Sequence, residues 1–137
     1  MVEDYIWISK LVVVAIHNEQ VNEHGGSYGI RDEGLLDSAL ANPKNICTYN
    51  PNHTIASVAS SYGFSIAKNH PFIDGNKRTA FQTMLLFINL NGKDLDVLEP
   101  EVVITMQKLA DSTIDQSQFT EWIESHLIDI EGENKLN

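Results

Sequence analysis

The chain has 137 residues, a formal net charge of −10 and a single cysteine. That length fits one domain with a real core, and 42% hydrophobic against 20% charged residues excludes a disordered chain. The acidic balance argues against direct nucleic-acid binding and favours a basic protein or peptide as partner, while Cys47 alone cannot form an intrachain disulfide, which points to the cytoplasm. Acidic residues precede the first apolar run and no small-residue cleavage site follows it, so MVEDYIWISKLVVVAIHNEQ is expected to be an amphipathic core helix rather than a signal peptide. No apolar run approaches a membrane span.

Helical periodicity dominates from end to end. Ser9 predicts an N-cap for a helix to about Asn22, with Leu11, Val12, Ala15 and Ile16 tracing its turns. Two adjacent glycines in EHGGSYG break it. A shorter helix is expected over Asp32 to Ala41, closed by Asn42-Pro43. NPKNICTYNPNH reads as too broken for a helix, with room for an extended piece at Ile46 to Tyr49. Ile55, Val58, Ala59, Tyr62, Ile66 and Ala67 then mark a helix over Thr54 to Lys68. Another runs from about Asn76 to Asn91, stopped by Gly92. Apolar residues surround its axis, so it is expected to be the central, fully buried helix. A brief extended piece at Val97 and Leu98, a helix opened by Pro100 and ending near Asp111, and a last helix over Ser117 to Ile130 complete the pattern. The class expected is all-α, a compact helical bundle forming one domain over residues 1–137, with 131–137 as a frayed tail.

HPFIDGNKRTA, His70 to Ala80, gathers polar groups directly ahead of that apolar helix. A helix N-terminus offers unpaired N–H groups and partial positive charge, which suit a phosphate. Gly75 permits close approach or a positive φ, Asn76 can cap the helix or donate its amide, and Lys77 and Arg78 add full charges. Asp74 is the odd carboxylate, and its simplest rationale is a Mg²⁺ bridging to phosphate oxygens. His70 can take a proton from an attacking hydroxyl. Phe72 pins the loop to the core. The same residues also fit a plain capping loop with a solvated cationic face. His17 and His24 sit at helical spacing without the further ligands a zinc site needs, and His53 and His126 read as helix-start and packing residues.

HPFIDGNKR resembles the signature of the Fic/Doc family, HxFx(D/E)(G/A)N(G/K)R, at every fixed position. GGSYGIRDEGLLDSAL and the helix ending in INLNG resemble the death-on-curing (Doc) branch, so the likeness covers about Ile6 to Leu127. The resemblance implies a compact helical fold and transfer of part of a nucleotide to a protein hydroxyl. It assigns His70 as the base, Asp74 as the Mg²⁺ ligand, and Gly75, Asn76, Lys77 and Arg78 as the phosphate cradle. It also places a flap, which aligns the target segment by strand pairing, near Asn45 to Tyr49.

Two departures from AMP-transferring members matter. Lys77 replaces their glycine, and Phe81 stands where they carry a second arginine. In the Doc branch the first change goes with an inverted nucleotide and phosphoryl transfer from ATP. That implies a toxin that phosphorylates a threonine of translation elongation factor Tu and is silenced by an antitoxin. The family's self-inhibitory motif (S/T)xxxE(G/N) is absent, because Gly29, Leu127 and Asp129 precede Glu33, Glu131 and Glu133 by four residues. Any inhibition is therefore expected in trans. An adenylyl or other nucleotidyl transferase, and a non-catalytic binding module, remain the alternatives.

Overall fold

The structure is a computed structural model and describes residues 5–130. Helix α1 (Lys10–His24) leads into α2 (Glu33–Tyr49), α3 (Ile55–Asn69) and α4 (Asn76–Leu90). Strand β1 (Lys93–Leu95), α5 (Glu99–Ala110), α6 (Gln116–His126) and β2 (Leu127–Asp129) follow. The two strands pair antiparallel, with Lys93 opposite Asp129. The architecture is all-α apart from this small ribbon. The expected tail, 131–137, lies outside the described residues.

Local chemistry sets the helix starts. Ser9, Asp32, Thr54 and Asp115 each accept a first-turn backbone N–H, and Thr54 with Ser57 and Asp115 with Gln118 form reciprocal capping boxes. The start of α1 is tied to α2 by Lys10, which bridges Glu33 and Asp37.

Packing corrects four of the expectations. The buried face of α1 is Val13, His17, Gln20 and Val21, whereas Leu11 is 80% exposed and Val12 and Ala15 are also exposed. Two apolar stripes compete on that helix, and the stripe that covers α4 is the one buried. Helix α2 runs straight through Pro43 to Tyr49, so no extended flap lies at Asn45 to Tyr49. An interior proline costs about 3 kcal/mol. Here Leu36, Ala39, Pro43 and Cys47 form one buried stripe, and Asn42 Nδ2 donates to Ser65 Oγ at 2.9 Å, so burial against α3 offsets the proline.

The most enclosed helix is α3, not α4. It buries ten of its fifteen residues and packs against α2, α4, α5 and α6, while Leu90, Lys77 and Arg78 of α4 are exposed. The small residues of α3 allow neighbours to approach on every side. Finally, α6 ends at His126 rather than Ile130, because Leu127 to Asp129 leave the helix to pair with β1.

At the centre, the Tyr62 hydroxyl accepts the Ile8 N–H at 3.0 Å. Burial pushes the phenol above its ordinary value, so it stays protonated. Gly63 marks the closest approach between helices: a Cβ there would lie 2.9 Å from Phe119 Cε2 and 3.2 Å from Met84 Sδ. Both neighbours are fully buried and cannot swing away. Gly63→Ala should therefore destabilise the fold by about 1–3 kcal/mol despite alanine's better helix propensity. Thermal or denaturant unfolding checks this, and a stabilised variant would contradict the packing.

Candidate active site

The loop between α3 and α4 is built by three devices. Helix α3 ends in a left-handed residue, His70 (φ 49°, ψ 55°), which costs a non-glycine residue on the order of 1 kcal/mol. The guanidinium of Arg31 holds that turn: Nε donates to the His70 carbonyl at 2.7 Å and Nη2 to the Asn69 carbonyl at 2.9 Å. At the other end Gly75 (φ 73°) turns the chain into α4. A Cβ on Gly75 would meet only ordinary contacts, at 3.8 Å from the His17 ring, so the glycine is required by its φ and not by space. Just past Gly75, at the start of α4, Asn76 is buried and its amide clasps Phe72. Oδ1 accepts the Phe72 N–H at 2.9 Å, and Nδ2 donates to the Phe72 carbonyl at 3.0 Å.

The α1–α2 connection lies along the loop. Arg31 N–H donates to the Pro71 carbonyl at 2.7 Å, Ile73 N–H to the Gly29 carbonyl at 3.1 Å, and Ile30 bridges Phe72. Gly26 and Gly29 of this connection take positive φ, which side chains rarely adopt. A Cβ on Gly26, whose φ is +114°, would come within 3.0 Å of the Asp74 carboxylate.

Asp74, Gly75, Asn76, Lys77 and Arg78 line one pocket of about 350 Å³. Its other walls come from Gln20 and His24 of α1, Phe81 and Gln82 of α4, and Glu99, Val102, Val103 and Met106 of α5. The α4 terminus that opens into it has no side-chain cap. Its first N–H groups are thus left for an outside acceptor, with the helix dipole and two exposed cations beside them. His70 does not line this pocket. It sits exposed at the far end of the loop, with Nδ1 3.4 Å from Asn76 Nδ2. That contact is long, and the shorter bond of the same amide goes to Phe72.

Among the described residues, the exposed carboxylate of Asp74 accepts two long bonds, from Ser27 N–H at 3.3 Å and Gly75 N–H at 3.2 Å. Lone pairs remain for a cation. Among the described residues no three His, Cys, Asp or Glu side chains converge on one point. The site therefore offers no all-protein cage, and its donors fit a cation that takes most of its ligands from phosphate and water, as Mg²⁺ does.

Of the residues singled out from sequence, the structure gathers Asp74, Gly75, Asn76, Lys77 and Arg78 and sets His70 apart. Of the two roles open to the Asn76 side chain, it does not cap α4 but donates its amide to the Phe72 carbonyl and so closes the loop. Sequence reasoning missed Arg31, Gly26 and the pocket walls from α1 and α5. It considered His17 only as a zinc ligand, yet His17 is buried beneath the loop with Nε2 2.7 Å from the Asp74 carbonyl. Its spacing from Val13 and Val21 on one face was the available signal. A second pocket of about 290 Å³, lined by Asn42, Asn45, Tyr49, Phe64 and Gln116 among others, contains none of the motif residues.

The model of the Fic/DOC family matches residues 7–88, which hold α1 to α3, the loop and nearly all of α4. The chain is 31% identical over 85 residues to the protein named "Protein kinase doc" of Escherichia phage P1, covering 62% of this chain and 68% of that one. It is 38% identical over 72 residues to "Toxin Doc" of Mycolicibacterium smegmatis, covering 52% of this chain and 55%, little more than half, of the relative. Among the described residues no helix is long and apolar enough to cross a membrane. With the signature loop folded at the head of α4 and most of the chain's length matched, this protein belongs to the Fic/Doc family.

Proposed function

We propose that the chain is the toxin of a toxin–antitoxin pair and acts in the cytoplasm as a protein kinase. In this reading it transfers the γ-phosphoryl group of Mg-ATP to a threonine or serine hydroxyl of a translation factor, with elongation factor Tu the expected target. The observation that carries the reading is the uncapped α4 terminus opening into a pocket beside Lys77, Arg78 and Asp74, with His70 exposed on the same loop. The names of the two relatives, a kinase and a toxin, support it.

The residues divide the work. The first N–H groups of α4, with Lys77 and Arg78, bind phosphate oxygens and neutralise charge as it shifts during transfer. Asp74 would hold Mg²⁺, which would supply neutralisation of the phosphate charge. His70 takes the proton of the hydroxyl as its oxygen bonds to the γ-phosphorus and the β–γ bridging bond breaks, releasing ADP. Because His70 lies outside the pocket and is exposed, a protein hydroxyl can reach it while the nucleotide fills the pocket. Lys77 favours phosphoryl over nucleotidyl transfer: it occupies the first turn, and the buried Phe81 supplies an apolar wall in place of a second cation.

His70→Ala should keep the fold and lose about 10²–10⁴-fold in activity, the usual contribution of a general base. Host growth arrest on induction reads the activity, with circular dichroism as the folding control, and full toxicity from folded alanine protein would remove His70 from the mechanism.

Labelled ATP separates the chemistries. Transfer from γ-³²P but not α-³²P ATP to a translation factor in lysate is expected, and it should disappear in Asp74→Ala. Transfer of the α label would instead establish a nucleotidyl transferase, and labelling by neither would leave a binding module. In the absence of an antitoxin the wild-type chain should arrest growth, since inhibition is expected in trans.

A further inference from the structure

We propose that His17, on α1 and outside the signature loop, is a positioning residue that sets the direction in which Asp74 faces the pocket. The proposal rests on reading the loop as a nucleotide site and concerns which group orients its metal-binding carboxylate.

His17 is 1% exposed, so the few polar contacts its ring makes are fixed ones. Its Nε2 lies 2.7 Å from the Asp74 carbonyl. A carbonyl only accepts, so Nε2 carries the proton and donates. The ring also stacks on Phe72, with centroids 4.0 Å apart and planes 8° from parallel, and a Cβ built on Gly75 would lie 3.8 Å from its Cδ2 and Nε2. One rigid side chain therefore grips the loop on both sides of Ile73 and backs the left-handed turn that follows.

The side chain of Asp74 has no comparable hold. Its two bonds, at 3.3 and 3.2 Å, are long and come from backbone N–H groups, and the residue is exposed. The direction of its carboxylate thus follows from the placement of its own main chain. Among the described residues, the side chain bonded to that main-chain carbonyl is His17. A metal ligand oriented by a buried donor one shell out is a recurrent arrangement, and loss of such a donor typically lowers metal affinity or activity about 10–100-fold.

Two substitutions separate the donor from the packing. His17→Phe keeps a flat ring for Phe72 and removes the N–H. His17→Gln places an amide N–H near the reach of Nε2 and removes the stack. Calorimetric titration of ATP at varied Mg²⁺ should show the half-saturating Mg²⁺ raised about tenfold in His17→Phe, little change in binding without Mg²⁺, and recovery in His17→Gln. In ligand-free protein, ¹⁵N NMR should find His17 protonated on Nε2, with the Gly75 and Asn76 amide resonances displaced in His17→Phe and restored in His17→Gln. Unchanged Mg²⁺ dependence and undisplaced amides in folded His17→Phe would overturn the proposal. So would equal losses with and without Mg²⁺ in both variants accompanied by lower melting temperatures, which mark simple packing. If wild-type protein binds no Mg-ATP while the amides respond as described, the nucleotide reading falls and the hold of His17 on the loop stands.

Discussion

The side-chain amide of Asn76 closes the signature loop on itself, and the site depends on that closure. Both polar atoms of the amide are committed to the N–H and carbonyl of Phe72, four residues back, in a place shielded from water. Buried backbone groups left unpaired cost about 1–3 kcal/mol each, so the loop cannot open without losing more than a typical surface contact supplies. Because Phe72 is itself buried, the closed loop is anchored to the core. The Asp74 carboxylate between Phe72 and Asn76 is then free to face outward. An asparagine suits this position because one planar group donates and accepts at once. A carboxylate of the same shape would present two acceptors to a donor and an acceptor.

Around this closed loop the chain adds support from parts distant in sequence. Arg31 stabilises the left-handed turn at His70, and backbone bonds from Gly29 to Arg31 run beside Pro71 to Ile73. The glycines of GGSYGIR meet a backbone need here: Gly25, Gly26 and Gly29 take φ of +83°, +114° and +116°, and a Cβ on Gly26 or Gly29 would also crowd the Asp74 carboxylate at 3.0 Å or the Ile73 side chain at 3.1 Å. The α1–α2 connection is thus a fitted cover for one side of the loop, while the other side opens to the pocket beneath α5.

Much of this was legible in the sequence where a single residue type decides the local outcome. Ser9 caps α1 as expected, Gly75 takes the positive φ, and Asp74 to Arg78 line one pocket at a helix terminus. The expectation failed where neighbours decide. Pro43 is a helix breaker in isolation, yet it sits inside α2 because burial against α3 outweighs a missing hydrogen bond. On α1 the sequence carries apolar residues on two faces, and only the position of α4 selects Val13, His17 and Val21 for burial. Leu127 to Asp129 could have extended α6, but β1 offers a partner strand. The hydrogen bonds of His17 and Arg31 were not legible because their partners are carbonyl groups, which leave no trace in residue identity, although the spacing of His17 from Val13 and Val21 signalled its burial.

Electrostatics give the placement of Asp74 a further meaning under the proposed function. A chain of net charge −10 repels a nucleotide at long range. Salt limits that repulsion to about 8 Å at physiological ionic strength, so the local charges decide once the nucleotide reaches the pocket. There the dipole of α4, Lys77 and Arg78 attract phosphate, while Asp74 and Glu99 oppose it. A bare triphosphate meets both carboxylates unscreened. A nucleotide already carrying a divalent cation has less charge for the acidic surface to repel and a positive centre to meet Asp74. The carboxylate among the cations is then a selector that admits the cation-loaded nucleotide in preference to the free one.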